Sequence, residues 1–392
     1  MKELKEMIRT YVILIVRFFM HFFWIFPVSK KTVVFSCYKG TQYSCSPKYI
    51  FLELKKQFGD KIKYVWILNS NSEDKDLENV KIVKFMSLKY LFYICTCSVY
   101  VNNVFFEPFI PKRKKQLFIN TWHGGGAYKG NDDNRKNSKS MLLKDRVRDS
   151  ITDYYISSCK AFTDCWVSEF SFENKKFLPI GLPRNDILTT ELENTELIKA
   201  IKNKLNIDEN KKIIFFAPTW RFQSRETSKT FNFDFNVDEL ISHVENKFGG
   251  QYVFLFRGHH CMKDIMFNEN LSNNFIDVSK YPDMQELLLV TDLFISDYSS
   301  CIWDFALTKR PGFLYTPDLV EYTATQHLLT TIDTWQYEYA CSFNELLDKI
   351  DTYDYELSKK KIESHLDNLV SYESGGASKH ICSMIKEHQG IK

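Results

Sequence analysis

The first thirty residues follow one hydrophobic pattern and the rest of the chain another. From 11 to 26 the sequence reads YVILIVRFFMHFFWIF, apolar except for Arg17 and His21, with Lys2, Lys5 and Arg9 before it and Lys30 and Lys31 after it. As a helix those residues reach about 24 Å, short of the roughly 30 Å hydrocarbon core of a bilayer, and no small-residue cleavage site follows them. The pattern therefore predicts a helix lying in the membrane interface with its basic flanks on anionic lipid. The alternatives are a helix packed on the protein's own core and a membrane anchor.

Past residue 31, short β-rich apolar runs alternate with helical stretches. The runs are 32–37 (TVVFSC), 64–68 (YVWIL), 81–85 (KIVKF) and 116–120 (QLFIN), then 212–217 (KIIFFA), 252–257 (YVFLFR), 275–279 (FIDVS), 293–296 (LFIS) and 312–315 (GFLY). Helices fit 49–58, 237–247, 283–290 and 301–308. Continuously apolar strands separated by helices mark a mostly parallel sheet covered on both faces. The series pauses in a polar segment rich in Glu, Lys and Asn, so the chain divides into an N-terminal helix (1–31), a first α/β domain (32–188), a linker (189–211) and a second α/β domain with C-terminal helices (212–392).

Composition narrows the function. With 392 residues and 44% hydrophobic content the chain can fill two cores, which excludes global disorder. Fifty-two Lys and Arg stand against 49 Asp and Glu, a net +3 too balanced for a protein that wraps nucleic acid. The ten cysteines are scattered and form no CxxC pair, so they read as reduced core residues in a cytoplasmic protein. Asp74 and Asp76 spell DxD inside a polar loop and read as solvated charge. His243, His327, His365, His380 and His388 have no ligand spacing and read as surface histidines.

In open parallel sheets ligands bind beyond the carboxyl ends of the strands, so the residues after each strand carry the chemistry. QLFIN is followed by Thr121-Trp122-His123 and three glycines, KIIFFA by Pro218-Thr219-Trp220-Arg221, YVFLF by Arg257-Gly258-His259-His260, and LFIS by Asp297-Tyr298-Ser299-Ser300. The glycines match neither a P-loop nor GxGxxG, and a lone strand-end histidine is as readily a hydrogen-bonded loop residue as a base. Ser299 and Ser300 suit a helix N-cap. With Arg221 and His259 expected at the same sheet edge, a diphosphate site becomes the better account.

At these strand ends the chain resembles the CDP-glycerol glycerophosphotransferase family, which includes teichoic acid primases and polymerases. The resemblance rests on NTWHG (120–124), GLPRND (181–186), APTWR (217–221), RGH (257–259) and the stretch 281–311, and covers roughly residues 32–325. It implies two Rossmann-like domains of GT-B type with an active-site cleft between them, a CDP-alditol donor (CDP-glycerol foremost), a lipid-linked or polymeric acceptor, and no metal or other cofactor. It further implies work at the cytoplasmic face of the membrane, in synthesis of teichoic acid or a capsule-type polymer. By position His123 is the candidate base and His259 the second functional histidine, while Arg221, Ser299, Ser300, Arg257 and Thr219 fall where the donor's phosphates and nucleotide are held. Gly124, Arg184, Asp297, Asp304 and Glu321 complete the candidate set. A GT-B glycosyltransferase using a nucleotide sugar and a non-catalytic assembly scaffold are the rival readings.

Overall fold

The computed structural model describes residues 2–70, 74–130, 138–170, 172–219, 236–258 and 272–391. They form two compact units: 1–186 together with 370–392, and 187–369.

The first unit is built on seven strands, β1 (Thr32–Ser36), β2 (Lys63–Ile67), β3 (Lys81–Val83), β4 (Val99–Asn102), β5 (Leu117–Asn120), β6 (Tyr154–Ser157) and β7 (Phe177–Pro179), in the order β3-β2-β1-β4-β5-β6-β7. Every adjacent pair is parallel. Alternation along β1 sends Val33 and Phe35 to one face and Val34 to the other, and both faces are covered. On the first face lie Ile50, Phe51 and Leu54 of α2 (Cys45–Phe58) and Ile381, Cys382 and Ile385 of the helix Ala377–Gln389. On the second lie Tyr90, Ile94 and Cys95 of α3 (Leu88–Thr96). A sheet buried on both sides needs apolar residues at successive positions, which is why its strands read as unbroken runs.

The second unit repeats this wiring with β8 (Lys212–Phe216), β9 (Tyr252–Phe256), β10 (Phe275–Asp277), β11 (Leu293–Ser296), β12 (Gly312–Tyr315) and β13 (Glu338–Ala340), in the order β10-β9-β8-β11-β12-β13, again parallel throughout. In both sheets the direction of winding reverses beside the first strand, between β1 and β4 and between β8 and β11. These are the topological switch points at which such sheets hold ligands.

The boundaries differ from the sequence expectation in two places. The segment 189–211 contains the helix Thr195–Lys204, which belongs to the second compact unit. The last helix, expected with the second domain, packs on the first. Its apolar side chains find their partners on α2, and a helix's periodicity announces that a face is buried without naming the sheet that buries it.

The N-terminal helix α1 (Lys2–Met20) continues as a 3₁₀ turn over His21–Ile25. The helical run Glu6–Ile25 is 20 residues, long and apolar enough to cross a membrane, so length does not decide its role as the shorter sequence count suggested. Its contacts are informative. Thr10 Oγ1 meets Ser140 Oγ at 2.6 Å, and Arg17 Nη1 donates to the carbonyls of Pro108 and Ile110 at 3.0 and 2.6 Å. Arg113 donates to the carbonyls of Phe23 and Phe26, and Trp24 to that of Pro111. One side of the run is thus tied to the first unit along its length, and the other leaves Tyr11, Ile15, Phe18, Phe19, Phe22 and Ile25 exposed.

Candidate active site

In the first unit three strand ends converge at the switch point. β1 runs into Cys37 and Tyr38, β4 into Asn103, and β5 through Thr121 and Trp122 into His123. His123 Nδ1 lies 2.8 Å from the backbone carbonyl of Asn103. A carbonyl only accepts, so Nδ1 carries the proton and Nε2 keeps its lone pair. Burial pushes the imidazole below its ordinary pKa of 6.5, and the Arg184 charge pushes the same way; the bond to Asn103 and the nearby Cys45 thiol oppose them. The net depression leaves His123 neutral at pH 7, the state a general base requires.

Its neighbours hold that ring in place. Asn103 is fully buried; its side chain accepts the Tyr38 N–H at 2.8 Å and donates to Cys37 Sγ at 3.2 Å. Tyr38 and Trp122 contact the imidazole with ring centroids 5.4 and 4.2 Å away. Trp122 has φ 54°, a conformation bulky residues rarely adopt, and its N–H is received by Asn120 Oδ1 at 2.9 Å. Strain of about 1–3 kcal/mol at such a residue persists only where the surroundings impose it. Here the Trp122 ring is fixed between Phe105 and Trp166. Of the three glycines that follow, Gly126 has positive φ, 66°, and its N–H donates to Ser158 Oγ. Gly124 is half-buried beside His123.

Arg184 is 5% exposed and turned inward, where Nη1 donates to the His123 carbonyl at 2.6 Å and lies 3.6 Å from Cys45 Sγ. Burial raises the Cys45 thiol; the hydrogen bond from Cys37 and the guanidinium outweigh it and hold the thiol well below its usual range. The nine described cysteines are all free thiols.

In the second unit the β8 and β11 ends are tied across the switch point. Asp297 accepts the Thr219 N–H at 2.8 and 2.9 Å on its two oxygens, and the Thr219 hydroxyl at 2.6 Å. Ser299 Oγ accepts the Cys301 N–H at 3.4 Å, while Ser300, the N-cap of the helix Cys301–Ala306, makes no side-chain cap bond. Both serines are half-buried. The Arg257 N–H donates to Phe216 O, continuing the sheet, and the following Gly258 N–H to Ser279 Oγ. Asp304 is buried and accepts from Gln285 within the fold, and Glu321 is exposed on the helix Leu319–Thr325. Cys301 is buried, its thiol pushed up to about 11 by burial. Among the histidines read as surface residues, His365 is half-buried and pushed down by that burial. Arg221, His259, His260, Asp132 and Asp133 lie outside the described residues.

The structure thus brings His123, Gly124 and Arg184 together in one unit and Thr219 with Asp297 in the other. Sequence reasoning passed over Asn103 and Cys45. Asn103 follows β4, a strand hidden in the run CTCSVYVNNV, where only Cys97 and Ser98 separate the helix from the strand.

Two parallel sheets wound in the same order apart from one extra edge strand in the first, each gathering polar side chains past its switch point, place the molecule among two-domain Rossmann-like α/β proteins of the GT-B class. Residues 18–387 match the CDP-Glycerol:Poly(glycerophosphate) glycerophosphotransferase family, and the chain belongs to it. It is 33% identical over 305 residues to a teichoic acid poly(glycerol phosphate) polymerase of Bacillus spizizenii, covering 76% of each chain. It is 29% identical over 380 residues to the Staphylococcus epidermidis polymerase of the same name, covering 93% of this chain and 51% of that one, so it spans about half that relative's length. Among solved structures it superposes on the wall teichoic acid polymerase TagF with a TM-score of 0.81 at 26% identity, covering 99% of this chain and 98% of that one. Another structure of TagF, a histidine-to-asparagine variant, was soaked with CDPG.

Proposed function

We propose that the chain transfers glycerol phosphate from CDP-glycerol to a hydroxyl of a lipid-linked or polymeric teichoic acid acceptor, releasing CMP. The observation that carries this reading is the neutral His123, its tautomer set by Asn103 and its Nε2 lone pair retained, in a chain of this family. The acceptor hydroxyl attacks the phosphorus bearing glycerol, a new P–O bond forms, and the bond to the CMP phosphate oxygen breaks. His123 Nε2 takes the hydroxyl proton. Ser299, Ser300 and Arg257 in the second unit are assigned to the donor's phosphates, and Thr219 is the residue that fixes their loop through Asp297. Arg221 and His259 are assigned to the same phosphates from their sequence positions alone.

The exposed aromatic side of α1 supports peripheral attachment to the cytoplasmic face of the membrane, because a helix tied at Thr10, Arg17 and Trp24 to the folded unit lies along a surface rather than through it. Lipid-linked acceptors would then be met where they reside.

The test is CMP release by purified protein in detergent with acceptor, from CDP-glycerol, CDP-ribitol and nucleotide sugars in parallel. Release from CDP-glycerol that depends on acceptor is the expected result. Turnover of a nucleotide sugar alone would replace this reading with a glycosyltransferase, and no turnover of any donor would favour a scaffold.

A further inference from the structure

The GLPRND segment is held from one side by a part of the chain nearly two hundred residues later. After residue 369 the backbone returns to the first unit, where Cys159 and Ser371 form an antiparallel bridge, Lys160 N–H donates to Val370 O, and Tyr372 N–H donates to Ser158 O. Glu373 then reaches the segment itself. One carboxylate oxygen accepts the Leu182 N–H at 2.9 Å and the other the Asn185 side-chain amide at 3.0 Å. The next residue, Asp186, receives the N–H groups of Ala377 and Ser378 at 3.0 and 2.7 Å, and Ser378 Oγ donates to Pro183 O. Gly181 has φ 80°, and a Cβ there would sit 2.7 Å from a Glu373 oxygen and 2.9 Å from its Cα.

Within 182–186, then, Leu182, Pro183, Asn185 and Asp186 are all engaged by 373–378, and the member between them, Arg184, sends its guanidinium to the His123 carbonyl. A second route runs in parallel, since Ser158, which receives Tyr372, also receives Gly126 at the far end of the His-Gly-Gly-Gly loop. Both ends of the loop that carries the base are therefore referred to one returning segment.

From this geometry we infer that Glu373 is a positioning residue for His123, acting through Leu182, Asn185 and Arg184. The inference rests on His123 being the base of the proposed reaction. The carboxylate holds 182–185 in register, and Arg184 then fixes the His123 backbone. Small displacements of a reacting group are costly in rate, about 10²-fold for 1 Å. Among the described residues, the charged or titratable groups that act on the imidazole are the Arg184 guanidinium and the Cys45 thiol, with the Tyr38 ring at its edge.

The experiment is a double-mutant cycle on the full chain with Glu373→Ala and His123→Ala, backed by Glu373→Gln, which keeps one acceptor oxygen, replaces the other with an NH2 donor, removes the charge and covers the case in which Glu373→Ala does not fold. Glu373→Ala is expected to lower kcat about 10- to 100-fold with the KM for CDP-glycerol within about twofold, and to cost nothing further in the His123→Ala background. Glu373→Gln should recover part of the loss. Independently of turnover, the pH dependence of His123 acylation by diethyl pyrocarbonate should move upward in either Glu373 variant, as the Arg184 charge loses its register. Additive losses in the cycle, or a His123 titration identical to wild type in both folded variants, would overturn the inference. If the wild type releases no CMP from CDP-glycerol, the glycerophosphotransfer reading fails, while the His123 titration still decides whether Glu373 positions that side chain.

Discussion

Asp297 and Thr219 join the two strand ends that flank the switch point of the second sheet, through three hydrogen bonds to one buried carboxylate. The bond from a hydroxyl to a charged group contributes about 1.5–3 kcal/mol net, and leaving a buried carboxylate short of donors costs more. Thr219→Val should therefore lower stability by about 1–3 kcal/mol, read from the urea midpoint, and raise the KM for CDP-glycerol more than it lowers kcat. Unchanged donor KM in a destabilised variant would make the pair a purely structural clamp.

His123→Ala should reduce turnover by about 10² to 10⁴ while donor affinity stays within a few-fold. A folded variant with near-normal turnover removes His123 from the mechanism.

The pH profile follows from the same residue. Because burial and Arg184 lower the His123 pKa, the neutral base persists as pH falls through 6.5, and the acidic limb of kcat/KM should lie below that value. Arg184→Met removes one of the two lowering influences, so the limb should move to higher pH. A shift to lower pH would contradict the assigned sign.

Replacing Phe18, Phe19 and Phe22 together by Ser should abolish flotation with anionic liposomes and leave the thermal midpoint nearly unchanged, since all three rings are exposed. Arg17→Ala should do the reverse, because its guanidinium holds α1 to the carbonyls of Pro108 and Ile110.

Activity is expected to survive EDTA. Charge on the donor is assigned to cationic groups and backbone amides, the Asp297 carboxylate is already engaged by Thr219, and among the described residues no three or more His, Cys, Asp or Glu cluster as a metal site would. Loss of CMP release on chelation, restored by Mg²⁺ or Mn²⁺, would point to Asp297, or to Asp132 and Asp133 in the sequence after the three glycines, as metal ligands.

Strands whose two faces are both buried were legible because their composition alone marks them: β1, β5, β8 and β11 stand at the positions the apolar runs indicated. β4, β6, β7 and β13 escaped, β4 because its four residues follow an apolar helix without a turn signal. His123 was found from its place after a strand. Of the residues that fix it, Arg184 was named through the GLPRND resemblance, although no local spacing encodes its inward turn; Asn103 was not named, since it acts through its backbone carbonyl, which any residue offers.

The order in which the chain is synthesised now has a bearing on quality control. The helix Ala377–Gln389 supplies Ile381, Cys382 and Ile385 to the core of a unit whose other elements end at Asp186, and the 183 residues of 187–369 must be made in between. Until then the core that α2 forms with the sheet lacks the Ile381, Cys382 and Ile385 side chains that complete it, and an interrupted or stalled product would display that incomplete core to chaperones and proteases. Truncated chains should be cleared rather than accumulate as half-working enzymes.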